Sequence, residues 1–228
     1  MGASIDPNHE LETTGRIWCR ALLSPSDVKD FARLCEVGEK PGIRMGLTPE
    51  LAEFIGPAST ISRYAVRAGM DAAPVRIVSF NKSSGSNWSV PWHQDRVIAL
   101  AERIETTSFT NWVEKDQIWH CEPPVELLNN LIFIRVHFDG CDEKNGAMEI
   151  ALGSHRKGLV EARLAKEVAE THEIEVCCAA PGDILIVKAL TLHRSGSSAS
   201  EGSRRALRVD YARRSDLSPR LTWSIPAN

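Results

Sequence analysis

The amino-acid sequence predicts a mainly β fold, a barrel or sandwich with helices packed against its outside. From about residue 74, six short runs rich in apolar and β-branched residues follow one another, and turn residues bound most of them. One helical pattern interrupts these runs, whereas the chain before them carries two. Many short strands with few helices are typical of β barrels and sandwiches. The six runs are PVRIVSFN, NNLIFIRVHFDG, NGAMEIALG, HEIEVCCA, GDILIVKALTLH and RRALRVDYAR.

Length and composition indicate one domain. The chain has 228 residues, of which 43% are hydrophobic, enough for one substantial core. We expect a single domain over residues 1–228. Within it, a helical N-terminal support of about 1–73 would pack against a β core of about 74–214.

The N-terminal support is predicted to contain a short strand over RIWC and two helices. In the first helix, Ser24 is the expected N-cap, Pro25 takes the first helical position and Asp27 lies at the positive helix end. TPELAEFIG predicts the second helix, and LVEARLAKEVAE predicts the helix among the strands. Residues 96–128 do not resolve into elements and are expected to form a lid or a wall of a pocket.

Charge and cysteine patterns exclude several classes of protein. The net charge is −3, with 27 basic and 30 acidic residues well mixed, so no basic surface for nucleic acid is expected. No apolar run approaches the ~20 residues of a membrane span. The six cysteines show no C-x-x-C spacing, and the N-terminus lacks the apolar core of an export signal. We therefore expect reduced thiols and a cytoplasmic protein.

Three His-x-carboxylate pairs are candidates for metal binding. They are His93 with Asp95, His120 with Glu122, and His137 with Asp139. On an extended chain, residues two apart point to the same side, so each pair is able to offer two ligands. One such pair is a weak signal, because non-haem Fe(II) oxygenases require two histidines and one carboxylate on one face of the metal.

The candidate third ligand is His193, which ends the apolar run LIVKALTLH. A barrel strand would deliver this side chain to the mouth of the barrel. Arg204 opens the next predicted strand, and Ser195 lies two residues past His193. A guanidinium is well suited to hold the distal carboxylate of a 2-oxoacid co-substrate, because it forms two parallel hydrogen bonds.

At these residues the chain resembles the phytanoyl-CoA dioxygenase family. The resemblance is carried by WHQD, NGAMEIALGSHRKG and LHRSGSSASEGSRRAL, and it extends from about residue 75 to 212 with a weaker similarity in ALLSPSDVKDF. It implies a double-stranded β-helix, a jelly-roll or cupin-like barrel. It also implies an enzyme that uses Fe(II), 2-oxoglutarate as co-substrate and O2.

The resemblance selects one metal site among the three pairs. It implies His93, Asp95 and His193 as iron ligands, with Arg204 and Ser195 on the distal carboxylate of 2-oxoglutarate. Halogenating relatives replace this carboxylate with a small residue, so Asp95 indicates hydroxylation, or a related oxidation such as desaturation, with release of succinate and CO2. The expected substrate is a small organic molecule. The neighbouring Arg205 remains the alternative to Arg204. Alternation along this predicted strand groups Arg204 with Ala206, Arg208 and Asp210, and groups Arg205 with Leu207, Val209 and Tyr211.

Other residues are weaker candidates. Trp92, His137, Arg135 and Lys82 are candidate pocket residues, although packing or solvent exposure explains each of them as well, and His120 is expected at the surface. Two other function classes remain open. One is a cupin-like hydrolase or isomerase with another metal, and the other is a metal-binding protein without turnover. The substrate and the oligomeric state do not follow from the sequence.

Overall fold

The computed structural model describes residues 7–225 except positions 39, 84–85, 105 and 200–201, so the first six residues of the predicted support lie outside it. Four short 3-10 helices cover Glu143–Asn145, Ser154–Lys157, Ala162–Leu164 and Arg214–Asp216. The α-helices are α1 Pro7–Thr14, α2 Pro25–Leu34, α3 Pro49–Ile55, α4 Thr60–Arg67, α5 Val125–Asn130 and α6 Ala165–Glu170.

The strands form two larger antiparallel sheets and one small sheet. A six-stranded sheet has the order β1-β11-β8-β13-β3-β2, a four-stranded sheet has the order β10-β9-β12-β4, and a three-stranded sheet has the order β5-β7-β6. The strands are β1 Arg16–Cys19, β2 Gly42–Met45, β3 Pro74–Lys82, β4 Val90–His93, β5 Ile98–Leu100, β6 Thr110–Lys115, β7 Ile118–Glu122, β8 Ile132–His137, β9 Met148–Ala151, β10 Ile174–Val176, β11 Ile184–Lys188, β12 His193–Ser195 and β13 Arg204–Tyr211.

The six-stranded sheet is buried on both faces. On β13, Leu207 and Val209 belong to the same apolar cluster as Phe31 of α2, so this face packs against the N-terminal helices. Side chains alternate along a strand, and the opposite face of β8 and β11 contributes Phe133 and Leu185 to a second cluster shared with β9. The predicted jelly-roll fold with a helical layer is confirmed, although the two larger sheets do not join into one hydrogen-bonded barrel among the described residues.

The predicted N-terminal helices are confirmed with their caps. The side chain of Ser24 accepts a hydrogen bond from the backbone of Asp27, and the Asp27 carboxylate accepts one from the backbone of Ser24. At α3, the side chain of Thr48 accepts a single hydrogen bond from the backbone of Leu51. Among the strands, the predicted helix is shorter than LVEARLAKEVAE, because a 3-10 turn over Ala162–Leu164 precedes α6.

Residues 96–128 form the three-stranded sheet and the start of α5. The strands were not evident because β6 is almost entirely exposed and shows no alternation of apolar and polar residues. Asp116 and Gln117 have φ values of 52° and 61°, the left-handed pair that joins β6 to β7 in a tight hairpin. Within the described part of the chain, no helix has the length and apolar character needed to cross a membrane.

Candidate metal centre

Three predicted ligand residues converge at the edge of the four-stranded sheet. β4 ends at His93 and β12 begins at His193, and these two residues are direct partners in the antiparallel pairing. Their ring centroids are 4.2 Å apart. Asp95 follows β4 by two residues, and one ligand atom from each of the three side chains lies within 4.8 Å of the others. This is a geometry that a single metal ion can bridge.

Both imidazoles are oriented by backbone carbonyls. Nδ1 of His93 lies 2.8 Å from the carbonyl oxygen of Pro91, and Nδ1 of His193 lies 2.8 Å from that of Thr191. A neutral imidazole that donates from Nδ1 keeps its lone pair on Nε2, where it is free to bind a metal. The two histidines therefore present the same nitrogen to the centre.

Gln94 fixes the short segment that joins the two ligands of the H-x-D pair. Its side chain is buried, donating 2.8 Å hydrogen bonds to the carbonyls of Leu190 and Gly158 and accepting one from the Val160 backbone. Sequence reasoning did not assign this role. A polar residue between two ligand positions was the available signal, because a buried amide requires partners.

Asp95 is held as a carboxylate. Burial by itself raises the pKa of Asp95, but the positive charge and hydrogen bond of Arg208 outweigh it, so the pKa lies well below the usual range. Burial lowers the pKa of His193 to about 4. At neutral pH, the 3.4 Å contact between Asp95 and His193 therefore joins a carboxylate to a neutral ring, both in the state that binds a metal.

A buried charge network lies behind Asp95. Arg208 Nη1 is 2.7 Å from one oxygen of Asp95, while its Nε donates to Asp210 at 2.6 Å. Asp210 also pairs with Arg76 at 2.7 Å. Sequence reasoning placed Arg208 on the same strand face as Arg204 but gave it no function. The network orients the free oxygen of Asp95 toward the two histidines.

Replacing Arg208 with methionine is expected to lower the free energy of unfolding by about 3–5 kcal/mol, because Asp95 and Asp210 would each lose a buried partner. The side chains of Arg208 and Asp210 are 12% and 2% exposed. Urea unfolding of the metal-free protein measures the change. The matched control is Arg205→Met, which breaks a half-exposed pair with Asp139 and should cost about 1 kcal/mol or less. Equal losses of unfolding free energy in Arg208→Met and Arg205→Met would contradict a buried charge network centred on Arg208.

The other two His-x-carboxylate pairs do not form metal sites. His137 is buried with Nδ1 at 3.1 Å from the carbonyl of Asp183, and Asp139 binds Arg205. His120 was expected at the surface, and that prediction was wrong. It is 2% exposed, and its Nε2 accepts a 3.2 Å hydrogen bond from Arg44. Among the described residues, the triad of His93, Asp95 and His193 is the group of side chains placed to hold a metal ion.

A cavity of about 120 Å³ opens beside His93 and His193, between the two larger sheets. The described residues that line it include no carboxylate, and its cationic wall residues are Lys82, Arg135, Arg194, Arg204 and Arg208. Arg204 is 6% exposed, and its buried Nε and Nη1 have no hydrogen-bond partner among the described residues. Ser195 lines the same cavity. Arg194 pairs with Glu149, and Arg208 with Asp95 and Asp210, whereas Lys82, Arg135 and Arg204 have no carboxylate partner among the described residues. These three cations give the cavity a positive charge that suits an anion.

The positive charges in this cavity influence one another. Burial, together with the charges of Arg204 and Arg135, lowers the pKa of Lys82 to about 8. Burial and the charge of Arg204 lower the pKa of Arg135 to about 10. Lys82 is 1% exposed and donates to the carbonyl of Gly196 at 2.6 Å. A ligand with negative charge would relieve this repulsion.

Of the remaining candidates, some line this cavity and others lie outside it. Arg205 points to the opposite side of β13 from Arg204, where it forms two hydrogen bonds of 2.8 and 2.9 Å with Asp139. Trp92 precedes His93 on β4 and therefore faces the other side, packing beneath Arg194 and α6. Neither Trp92 nor His137 lines the described wall of the cavity, whereas Arg135 and Lys82 do.

Comparison with known proteins identifies one family. The model of the phytanoyl-CoA dioxygenase (PhyH) family matches residues 13–206. No curated protein sequence matches the chain.

Solved structures with the same fold are distant in sequence. The carbocyclase SnoK, a non-heme alpha-ketoglutarate-dependent enzyme of nogalamycin biosynthesis, is 16% identical with a TM-score of 0.65, covering 100% of this chain and 94% of its own. EctD from S. alaskensis, solved with 2-oxoglutarate and 5-hydroxyectoine, is 16% identical with a TM-score of 0.66, covering 94% and 79%. The epimerase SnoN, in complex with Fe3+, alpha ketoglutarate and nogalamycin RO, is 12% identical with a TM-score of 0.65, covering 91% and 82%.

Proposed function

We propose, since the chain belongs to the phytanoyl-CoA dioxygenase family, that it is an Fe(II)- and 2-oxoglutarate-dependent oxygenase acting on a small organic molecule. The observation that carries the proposal is the joint presence of the triad and the adjoining cationic cavity. Two neutral imidazole nitrogens and one carboxylate are the donor set of non-haem Fe(II) oxygenases. In this proposal His93, Asp95 and His193 hold the metal.

The cavity has the charge that a dicarboxylate co-substrate requires. Arg204 would bind the distal carboxylate of 2-oxoglutarate through its two free N–H groups, with Ser195 as an additional donor. Lys82 and Arg135 add positive charge around the same ligand. SnoN and EctD, which share the fold, were solved with alpha ketoglutarate and 2-oxoglutarate respectively.

Iron, when bound with the co-substrate and O2, supplies the oxidation of a C–H bond while 2-oxoglutarate becomes succinate and CO2. The protein's own residues orient the metal ligands and keep bulk water away from them. Arg208 keeps Asp95 ionised, the carbonyls of Pro91 and Thr191 orient the histidines, and the position of the cavity between two sheets limits the approach of bulk water. Because Asp95 occupies the carboxylate position, we propose hydroxylation rather than halogenation as the reaction.

The proposed setting is one oxygenase domain in the cytoplasm. The N-terminal helices pack on the six-stranded sheet, and the other face of that sheet carries Arg204 and Arg208. The helices and the β core are therefore proposed to form one domain. The six cysteines are unpaired thiols, five of them buried, which suits a reducing compartment.

Succinate formation tests the proposal. Protein loaded with Fe(II) and 2-oxoglutarate is assayed with and without O2 in a screen of small organic compounds. Oxygen-dependent succinate, raised by one class of compound, supports the oxygenase. Both alternatives, a cupin-like hydrolase or isomerase and a silent metal-binding protein, give no oxygen-dependent succinate.

The pH dependence of the free energy of unfolding tests the cationic cavity without requiring turnover. Lys82 has a folded-state pKa of about 8 against an ordinary value of 10.5, so between these values the unfolded chain holds a proton that the folded chain has lost. The free energy of unfolding of wild type should therefore rise relative to that of Lys82→Met as the pH increases through this window. Thermal unfolding without metal or co-substrate measures the difference.

The control for this pH series is Lys166→Met, which removes an exposed lysine of α6. Its difference from wild type should not follow the same course. Saturating 2-oxoglutarate should also remove the effect, because a bound dianion favours the charged form of Lys82. If the difference in free energy of unfolding between wild type and Lys82→Met stays constant across this pH window, Lys82 is not a buried cation without a counter-charge.

A further inference from the structure

A second cavity of about 430 Å³ lies on the other side of the triad. His93 lines both cavities, whereas Asp95 lines only this second one among the described residues. Its outer wall comes from β6 and β7. Of the two roles expected for residues 96–128, a lid or a wall of a pocket, the structure therefore shows the wall. Its volume is within the range of about 300–1,000 Å³ that small-molecule sites occupy. We call it the substrate-side cavity.

The substrate-side cavity is lined by cations. Arg44, Arg76, Arg96 and Lys115 contribute to its described wall. Arg96, directly after Asp95, and Lys115, at the end of β6, form no side-chain hydrogen bond or ion pair with any described residue. Arg76 is already neutralised by Asp210, whereas Arg44 pairs at 2.7 Å with Asp116, which is 62% exposed.

The acidic residues of this wall do not cancel its charge. Asp95 is occupied by Arg208 and belongs to the metal triad. Glu122 accepts a hydrogen bond from Asn111 at 2.8 Å and offsets one cation. Because Asp116 pairs with Arg44 and Glu122 offsets only one of Arg96 and Lys115, the wall in front of the metal position keeps a net positive charge.

His120 reports the same positive field. Nδ1 of His120 lies 2.9 Å from the carbonyl of Ile118, and its Nε2 accepts from Arg44, which makes the ring neutral. Burial lowers the pKa of His120 to about 4, and the charges of Arg44, Arg76 and Lys115 act in the same direction. The neutral ring adds no positive charge beside Arg44, whose Nε and Nη1 are held by His120 and Asp116 and whose Nη2 has no hydrogen bond to a described residue.

We propose that the substrate-side cavity binds the oxyanion of a small substrate, a carboxylate or a phosphate, through Arg96 and Arg44. This deepens the proposed function and rests on it, since the anion would anchor the molecule that is oxidised at the triad. A guanidinium forms paired, charge-assisted hydrogen bonds with such groups, and Arg96 has all of its donors available. Because Arg96 follows Asp95 in the chain, an anion held there fixes the rest of the molecule beside the metal ligands.

A residue-resolved binding experiment tests this site without turnover or metal. Metal-free, isotope-labelled protein is titrated with inorganic phosphate, and in parallel with acetate, while backbone amide signals are followed by NMR. We expect saturable shifts in residues 94–97 and 113–122. Arg96→Gln should weaken this binding about tenfold or more, as loss of a hydrogen bond to a charged group predicts.

Controls separate the two cavities. Arg204→Gln should weaken only the anion-induced shifts around Lys82, Ser195 and Arg204, and Arg220→Gln, which removes an exposed charge, should change neither set. Lys115→Gln serves as a second variant, because Lys115 is exposed and its loss leaves the core intact. Its expected effect is a weakening of severalfold in the substrate-side shifts alone.

The outcomes are distinct. Binding of both anions supports a general oxyanion site, and binding of phosphate alone supports a phosphorylated substrate. Shifts confined to the first cavity, or unchanged binding in Arg96→Gln, would overturn the proposal. An Arg96-dependent anion site in a protein that forms no oxygen-dependent succinate would refute the oxygenase while leaving this binding site in place.

Discussion

Replacing His193 with alanine is expected to abolish oxygen-dependent succinate formation. His193 is one of the two imidazoles in the triad and is 5% exposed, so no other described histidine is placed to substitute for it. Loss of groups that merely orient a ligand typically lowers metal affinity about 10–100-fold, and loss of a ligand should cost at least the upper figure. Anaerobic Fe(II) titration gives the affinity, and the succinate assay gives the activity.

The control is His172→Ala, which removes a half-buried histidine whose Nδ1 lies 2.9 Å from the carbonyl of Leu152, outside the triad. This variant should keep metal binding and turnover. Circular dichroism and thermal unfolding of both variants confirm that each is folded. Near-normal activity in folded His193→Ala protein would reject the ligand set.

Replacing Arg204 with glutamine should weaken 2-oxoglutarate binding about tenfold to a hundredfold while leaving metal affinity nearly unchanged. The reason is that two charge-assisted hydrogen bonds to the distal carboxylate are lost, each worth about 1.5–3 kcal/mol at most before compensation by Lys82 and Arg135. The Michaelis constant for 2-oxoglutarate and calorimetric binding to metal-loaded protein measure the effect.

Arg205→Gln is the matched control, because Arg205 is the next residue of the same strand but binds Asp139 on the other side. Its affinity for 2-oxoglutarate should equal that of wild type. Equal weakening of metal and co-substrate binding in Arg204→Gln would instead mean that Arg204 is structural. Equal effects of the two variants would mean that the strand face has been misassigned.

Much of the β core followed from the period of two along a strand. The alternation in RRALRVDY put Arg204, Arg208 and Asp210 on one side, and the structure places all three between the sheets. The same rule separates Arg205 from them. It did not indicate which of the inward charges would be paired, because that depends on partners such as Arg76 of β3, which is far away in sequence.

The histidines show the limit of this reasoning. His120 looked like a surface residue because TNWVEKDQIWHCE has no clear apolar period, yet β5 and the residues beneath it bury the ring. Burial of a short, polar hairpin depends on what packs under it, which local sequence does not encode. For the same reason the substrate-side cavity, built from five separate segments, was not predictable from any one motif.

The small sheet of β5, β7 and β6 shares no strand with either of the larger sheets. His93, His193 and the cavity of about 120 Å³ beside them belong to those larger sheets, and β6 is mostly exposed. The hairpin formed by β6 and β7 therefore supplies the outer wall of the substrate-side cavity without adding a strand to the sheets that carry His93 and His193. A change of length or charge in its turn at Asp116 and Gln117 would alter that wall and leave the pairing of the two histidine strands intact.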